Sequence, residues 1–273
     1  MDGIDLSVPT GSVYALIGRN GAGKTTLLHM LAGLMRPDSG EISVLGLNIS
    51  SDRRNILKRV GVHLGNDLFP YLTGNELSRF NRSFYPQWSQ ESADKYAKIL
   101  NVSMDTKFSD LSTGNKGKLS LVLTLAQGAD LLILDEPTTG LDPMAIDQLI
   151  RILIEDFTAN NRTILLTSQH LSEIDRLADW VGIIDQGRMV IEAALDDVRQ
   201  TFHRIRIRGN SVPKDGKLWI AVTSVESDVA DYIVQGDVGG FKTAVQNVNA
   251  SVVDMVPMSL SEIFIALVNQ GEE

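Results

Sequence analysis

The chain has 273 residues, a hydrophobic content of 43% and no cysteine, so it can bury one large core or two smaller ones but forms no disulfide or thiolate metal site. Its net charge of −9 and isoelectric point near 5.0 argue against general electrostatic binding to nucleic acid, which needs clustered basic residues. No apolar stretch approaches the ~20 residues of a membrane-spanning helix, and the acidic amino terminus has no signal-peptide pattern.

The first part of the chain alternates between apolar strands and helices. Residues 4–17 predict two strands joined by a turn, and a leucine-lined helix follows over Lys24–Met35. The later elements are predicted as strands at Glu41–Leu45, Lys58–Leu64, Leu131–Leu134, Thr163–Thr167, Trp180–Asp185 and Arg188–Glu192, and as helices at Pro143–Ala159 and Leu195–Thr201. Uninterrupted apolar strands between helices indicate a buried parallel sheet, so we predict an α/β domain over residues 1–202 with a helical insert at about 73–128.

The pattern changes after His203, where strands predominate. Strands are predicted at His203–Arg208, Leu218–Thr223, Tyr232–Gln235 and Ser251–Val256, and helices at Val238–Gln246 and Ser259–Asn269. This order predicts a small α+β accessory domain over residues 203–273. Three arginines, Arg204, Arg206 and Arg208, alternate along one strand, and a solvated face is favoured over a binding patch.

A glycine-rich loop lies between the first long apolar strand and the first helix. It reads Gly18-Arg19-Asn20-Gly21-Ala22-Gly23-Lys24-Thr25-Thr26 and fits the pattern Gly-x-x-x-x-Gly-Lys-Ser/Thr. The glycines let backbone N–H groups turn inward around a phosphate chain, Lys24 reaches the β- and γ-phosphates, and Thr25 offers its hydroxyl to Mg²⁺. The following helix directs its positive end at the same anion. The pattern predicts a nucleoside triphosphate site in preference to an ordinary glycine-rich turn.

Two adjacent carboxylates, Asp135 and Glu136, follow the apolar run Leu131–Leu134. In an open parallel sheet the carboxyl ends of the strands face the ligand crevice. We therefore expect Asp135 to hold Mg²⁺ and Glu136 to polarise the water that attacks the γ-phosphate. The alternative, acidic residues that end a strand only for solubility, is less favoured because the phosphate loop lies upstream.

The segments around these carboxylates resemble those of the ATP-binding-cassette (ABC) ATPases over roughly residues 3–200. The run Leu111-Ser112-Thr113-Gly114-Asn115 is similar to the family's Leu-Ser-Gly-Gly-Gln signature, and Gly140-Leu141-Asp142 follows the carboxylates at the family's spacing. The resemblance implies a cassette that binds ATP and Mg²⁺ and works as a dimer, in which Ser112 and Gly114 cap the γ-phosphate bound to the partner subunit. Without the family, this run is a helix-capping turn. The expected nucleotide contacts are Gly18, Asn20, Gly21, Ala22, Gly23, Lys24, Thr25, Thr26, Ser112 and Gly114.

Two departures from the family concern its nucleotide and metal contacts. The family normally has an earlier strand with an aromatic residue that stacks on adenine, whereas only three residues precede Ile4 here, so either the sequence starts late or adenine is held less tightly. The loop that offers a Gln to Mg²⁺ falls near Leu64–Asp67 and contains no Gln. Asn66 can replace that amide as a metal contact, or the loop is a plain turn.

A third departure concerns the family's switch histidine. Its position belongs to Gln169, with His170 one residue late. Gln can hydrogen-bond a γ-phosphate but cannot become a cation. We retain Gln169 and His170 beside Glu136 as candidate catalytic residues, although His170 is more simply interpreted as a residue that caps or covers the next helix.

The helical insert carries a second, weaker resemblance. Phe84-Tyr85-Pro86-Gln87-Trp88 resembles a segment of the Ytr-like branch of bacterial ABC-2-type transporter ATPases, while an aromatic cluster beside a proline is more often a packed corner. In the family, the insert and the loop before it form the groove where the membrane subunit docks. The apolar candidates for that contact are Leu68, Phe69, Tyr71 and Leu72.

The resemblance implies the cytoplasmic ATPase subunit of an ABC transporter, peripheral on the inner face of the cell membrane. We expect an exporter in which a homodimer or heterodimer of ATPase subunits acts on a separate membrane permease, with no nucleic-acid partner. One alternative is a degenerate subunit that binds ATP but hydrolyses it slowly beside a catalytic partner. Another is a non-transport ABC ATPase, for which we would expect coiled-coil insertions, tandem cassettes or basic arms that this sequence does not show.

Overall fold

The structure, a computed structural model, describes residues 1–65, 69–209, 218–226 and 228–269. It divides the chain into two compact units, Met1–Met189 and Val190–Glu273. The domain boundary between residues 202 and 203 stays a prediction. Among the described residues, no helix is long and apolar enough to cross a membrane.

A mostly parallel sheet of six strands in the order β4-β5-β6-β1-β7-β8 begins in the first unit, and its last strand crosses the boundary at residue 189. A two-stranded antiparallel hairpin, β2 with β3, accompanies it. The strands are β1 (Val13–Gly18), β2 (Ser43–Val44), β3 (Leu47–Asn48), β4 (Val60–His63), β5 (Leu131–Leu134), β6 (Thr163–Thr167), β7 (Trp180–Asp185) and β8 (Arg188–Ala194). The five strands from β4 to β7 in this order pair in parallel, which confirms the predicted α/β fold class.

Among the described residues from 24 to 201, α-helices flank or follow these strands, and the last of these helices lies in the second unit. They are α1 (Lys24–Leu31), α2 (Ile49–Leu57), α3 (Gly74–Arg82), α4 (Gln90–Ile99), α5 (Thr113–Leu125), α6 (Pro143–Ile152), α7 (Leu171–Leu177) and α8 (Leu195–Thr201). Local sequence explains several starts: Thr73 and Glu76 form a capping box on α3, and Asp142 caps α6 ahead of Pro143. The helices α3, α4 and α5 form the predicted helical insert.

The strand register places the functional end of the sheet. His63 pairs with Leu134, Leu134 with Leu166, and Leu16 with Thr167. Because these strands are parallel, their carboxyl ends and the residues that follow them meet at one edge. That edge also receives the glycine-rich loop, which follows β1 directly.

Some predicted elements of the first unit differ in the structure. Residues 4–8 form no strand, although Ile4, Leu6 and Val8 pack against the core: alternating apolar residues report burial and do not require a strand partner. Helix α2 was missed because its only buried residues are Ile49 and Ile56, with a charged stretch between them. The helix predicted to end at residue 159 gives way after Ile152 to a π-helical turn.

The second unit contains a four-stranded antiparallel sheet in the order β10-β11-β9-β12. Its elements are β9 (Phe202–Arg208), β10 (Ala221–Glu226), β11 (Val229–Gln235), α9 (Val238–Asn247), β12 (Ser251–Pro257) and α10 (Leu260–Asn269). Trp219, Tyr232 and Phe241 pack edge-on or tilted, with ring centroids 5.1 to 6.2 Å apart. This unit has its own apolar core, and it confirms the predicted small α+β appendage.

The alternating arginines of β9 form ion pairs along one face of the second unit. Arg204 contacts Glu262 at 3.0 Å, Arg208 contacts Asp228 at 3.4 Å, and Arg206 forms a two-pronged pair with Asp231 at 2.7 and 2.8 Å. Each guanidinium therefore faces a carboxylate, as the solvated-face interpretation predicts.

Candidate nucleotide-binding site

The glycine-rich loop makes a tight turn between β1 and α1 that depends on its glycines. Gly23, the residue that begins α1, has φ 107°, in the left-handed region that favours glycine. A Cβ at Gly18 would lie 2.3 Å from the carbonyl oxygen of Ile184, closer than atoms can approach. Within the described residues, no side chain caps α1, so the N–H groups of its first turn are available to an anion.

The ammonium of Lys24 lies inside this loop. Its Nζ donates to the carbonyl oxygen of Gly18 at 2.7 Å and to that of Arg19 at 3.2 Å, and the residue is 7% exposed. The loop therefore holds a positive charge close to the uncapped start of α1, and both features attract a phosphate chain.

Thr25 and Asp135 lie 110 residues apart in the sequence and come into contact in the fold. The Thr25 hydroxyl donates to Oδ2 of Asp135 at 2.8 Å, and the Thr167 hydroxyl donates to the other carboxylate oxygen at 2.6 Å. A hydroxyl and a carboxylate are the hard oxygen donors that Mg²⁺ accepts, usually with several waters retained. The donor set at this point fits a magnesium ion bound with a nucleotide.

Glu136 is held in an uncommon backbone conformation. Its φ is 47°, a left-handed value that costs a non-glycine residue about 1–3 kcal/mol. Two hydrogen bonds maintain the position: its N–H donates to the Thr167 hydroxyl at 2.9 Å, and its Oε2 accepts from the backbone N–H of Gln169 at 3.2 Å. The carboxylate is thereby fixed between the ends of β5 and β6.

Gln169 and His170 are both exposed, and the backbone of Gln169 contacts Glu136. His170 occupies the residue before α7, and its backbone N–H donates to the Ser168 hydroxyl at 2.9 Å. Among the described residues, its imidazole makes no capping hydrogen bond to that helix. The catalytic roles assigned to Gln169 and His170 stay predictions.

Ser112 and Gly114 begin helix α5. The Ser112 hydroxyl accepts from the backbone N–H of Asn115 at 3.3 Å, the capping turn expected from the residues alone. A Cβ on Gly114 would lie 3.0 Å from the carbonyl oxygen of Gly140, and Lys118 of α5 pairs with Asp142 at 2.8 Å. The signature-like segment therefore packs directly against the segment that follows the two carboxylates.

The remaining predictions concern Asn66 and the apolar residues expected to contact a membrane subunit, and the structure describes only some of these residues. Asn66 and Leu68 lie outside the described residues. Phe69 and Tyr71 are 54% and 81% exposed. Phe69 and Phe80 have ring centroids 5.3 Å apart, and Phe80 and Phe84 lie 5.0 Å apart. These four aromatic residues, Phe69, Tyr71, Phe80 and Phe84, are here called the aromatic patch. Two of them, Phe80 and Phe84, line a groove of about 470 Å³ between α2 and α3.

Sequence reasoning missed two residues of the site, Thr167 and His63. The Thr167 hydroxyl donates to the Asp135 carboxylate and accepts from the backbone N–H of Glu136. His63 ends β4, is 5% exposed, and places Nδ1 3.1 Å from the Ser120 hydroxyl. Burial lowers the pKa of His63 to about 4, while the nearby Asp135 carboxylate acts to raise it. The available signal was a polar residue at the end of each otherwise apolar strand.

Comparisons with known proteins place the chain in a family. The family model described as ABC transporter matches residues 1–139. The chain belongs to this family of ATP-binding cassettes.

Three similar proteins illustrate the family. The Nod factor export ATP-binding protein I of Burkholderia orbicola is 40% identical over 203 residues, covering 71% of this chain and 66% of that protein. The ABC transporter ATP-binding protein YtrB of Bacillus subtilis is 26% identical over 275 residues, covering 96% and 91%. A solved structure of an ATP binding subunit of an ABC transporter has a TM-score of 0.66 at 29% identity, covering 71% of this chain and 83% of that one.

The extent of these matches differs. The chain spans 62% to 66% of the length of several curated relatives, less than two thirds. The match to YtrB instead runs through both compact units, and it agrees with the Ytr-like resemblance of the helical insert.

Proposed function

We propose that this chain is the ATP-binding and ATP-hydrolysing subunit of an ABC transporter, driving export through a separate membrane permease. The observation that carries the proposal is the contact between Thr25, which follows the phosphate loop, and Asp135, with Glu136 fixed beside it. Family membership and the relative named for export support the direction of transport.

Each residue has a distinct task in this proposal. The loop amides and the Lys24 ammonium bind the phosphate chain of ATP and offset its charge. Thr25 and Asp135 supply oxygen ligands for Mg²⁺, which neutralises charge on the phosphate oxygens when bound. Glu136 accepts a proton from the attacking water, and its bond to Gln169 N–H orients the carboxylate.

Partners follow from the family and from the surface. We propose a homodimer or heterodimer in which Ser112 and Gly114, at the start of α5, contact the nucleotide of the partner subunit. The aromatic patch and its groove offer the apolar surface on which a permease segment would dock. This arrangement would place the chain in the cytoplasm, on the inner face of the membrane.

A degenerate subunit is the second candidate, and one observation favours it. Gln169 occupies the expected switch position, and it contacts Glu136 through its backbone, not its side chain. An uncharged amide cannot stabilise developing negative charge as an imidazolium does. In this case the chain would bind ATP, while a catalytic partner would supply most of the turnover.

Steady-state hydrolysis of Mg-ATP separates the two candidates. We expect the purified chain to turn over ATP, and we expect Glu136→Gln to lose at least roughly a hundredfold in kcat while still binding ATP and forming ATP-dependent dimers. Glu91→Gln, an exposed carboxylate on α4, is the matched control and should hydrolyse ATP normally. ATP binding without turnover in the wild type would favour the degenerate subunit, and absence of ATP binding would refute both.

A further inference from the structure

A buried histidine, His63, stands at the junction of the sheet, the helical insert and the nucleotide site. It is the last residue of β4 and is 5% exposed. The activity proposed above does not use it, since no nucleotide or metal contact is assigned to its side chain. A buried imidazole needs a specific reason, because burying a polar group costs free energy unless it is hydrogen-bonded.

The backbone of His63 contacts the backbone of Asp135, the residue proposed to bind the metal. Its carbonyl oxygen accepts from the N–H of Asp135 at 2.8 Å. A displacement at the end of β4 is therefore transmitted to the backbone of Asp135 by a direct hydrogen bond.

The side chain of His63 contacts the helical insert. Its Nδ1 lies 3.1 Å from the hydroxyl of Ser120, in the middle of α5, and the same hydroxyl lies 3.5 Å from the carbonyl oxygen of Gly65. Helix α5 begins at the signature-like segment, where Ser112 caps it. One serine hydroxyl thus bridges the helix, the end of β4 and the loop that follows β4.

The connection is suited to a fixed role because both of its side chains are buried. His63 is 5% exposed and Ser120 is 6% exposed. A hydrogen bond shielded from water in this way is electrostatically stronger than the same bond in solvent.

We propose that His63 is a positioning residue that couples helix α5 to the catalytic edge of the sheet. Its side chain follows α5 through Ser120, and its backbone carries that displacement to Asp135. A change in α5 when the signature-like segment meets a nucleotide would then adjust the carboxylate edge, and the reverse would hold for nucleotide bound at Lys24. The inference rests on the proposed ATPase cycle, since it describes how that cycle is synchronised.

Four single variants, and a double variant that combines His63→Leu with Ser120→Ala, test this coupling. His63→Leu and Ser120→Ala each remove the hydrogen bond, and His63→Asn keeps an amide group near the position of Nδ1. Thr124→Val is the matched control, because Thr124 is also buried on α5 but its hydroxyl donates only to the carbonyl of Ser120 within the same helix.

The kinetic result should separate coupling from binding. We expect His63→Leu and Ser120→Ala to lower kcat about tenfold, as the loss of one hydrogen bond between moving parts predicts, while the Kd for ATP changes less than about twofold. The double variant should be no slower than either single variant, since both remove one contact. His63→Asn should recover most of the rate, and Thr124→Val should match the wild type.

A second measurement does not depend on turnover. In the Glu136→Gln background, ATP should slow amide hydrogen exchange in α5, and His63→Leu should abolish that protection while retaining ATP binding. Additive losses in the double variant, no recovery by His63→Asn, or unchanged protection of α5 in His63→Leu would each overturn the proposal. If the wild type does not hydrolyse ATP but ATP still protects α5 in a way that depends on His63, the proposed hydrolytic role is refuted and the positioning role is supported.

Discussion

The hydroxyl group of Thr167 contacts both residues that carry the carboxylates of the site, Asp135 and Glu136. Thr167 donates to Asp135 and accepts from the backbone of Glu136, so the proposed metal ligand and the proposed general base share one support. Neither bond is visible in the sequence, because both depend on β5 and β6 lying side by side with Leu134 opposite Leu166. The carboxylates themselves were predictable, since their chemistry and their place after an apolar strand are local properties.

The buried imidazole of His63 makes the chain sensitive to acid. Burial lowers its pKa to about 4 from an ordinary value of 6.5, so between these pH values the unfolded chain binds a proton that the folded chain excludes. The free energy of unfolding should therefore fall as pH drops through this window, by about 3 kcal/mol at most. Urea unfolding at pH 7 and at pH 4.5 measures the difference.

The control for this prediction is His63→Asn, which cannot titrate. Between the two pH values, the free energy of unfolding should decrease less for this variant than for the wild type. The variant lacks the His63 imidazole, while the carboxylates are the same in both chains. Equal acid losses in the two proteins would show that His63 is not the group responsible.

At the scale of elements, helix α3 depends on its first turn. Thr73 accepts from the N–H of Glu76 at 3.3 Å, and the Glu76 carboxylate accepts from the N–H and the hydroxyl of Thr73 at 2.8 and 2.9 Å. These bonds hold the pKa of Glu76 below its ordinary value. In a sequence, a capping box has the form of Ser or Thr followed three residues later by Glu or Gln, as in Thr73 and Glu76.

Replacing Thr73 by alanine should therefore loosen the start of α3. We expect Thr73→Ala to lower the free energy of unfolding by about 1 kcal/mol, measured by urea denaturation. Thr73→Ser keeps the hydroxyl and should remain within a few tenths of a kcal/mol of the wild type. Equal losses in both variants would indicate that the methyl group, not the cap, matters here.

Elements with strong local patterns were predicted well, and those without were not. The strands Leu131–Leu134, Thr163–Thr167 and Trp180–Asp185 have the predicted bounds, because each is an apolar run bounded by polar or small residues. Helix α2 escaped because it buries residues only at its two ends. Such a helix is held by its contacts with the rest of the unit, which the local sequence does not contain.

At the scale of the whole molecule, each unit has an apolar core of its own among the described residues. One surrounds Tyr14, Leu16 and Leu28 in the first unit, and the other surrounds Tyr232 and Phe241 in the second. The sequence pattern changes after His203, whereas the compact units meet at residue 189, within strand β8. The boundary between residues 202 and 203 therefore stays a prediction.

Two cores predict two thermal transitions. Phe241→Ala should cost about 3–5 kcal/mol and lower the midpoint of one transition only, and Leu16→Ala should lower the other by a similar mechanism. Mg-ATP should raise only the transition that Leu16→Ala affects, because the nucleotide site lies in the first unit. Scanning calorimetry of the three proteins measures this, and a single transition shifted by both substitutions would contradict it.

The bond between Asp135 and the end of β4 also bears on how such a protein can diverge. It uses only main-chain atoms, the N–H of Asp135 and the carbonyl oxygen of His63, so any residue at position 63 preserves it. The side chain at that position can then change without loss of this backbone support for Asp135. Descendants of one ancestral cassette could acquire fast or slow cycles through substitutions at positions 63 and 120, while inheriting the same chemistry unchanged.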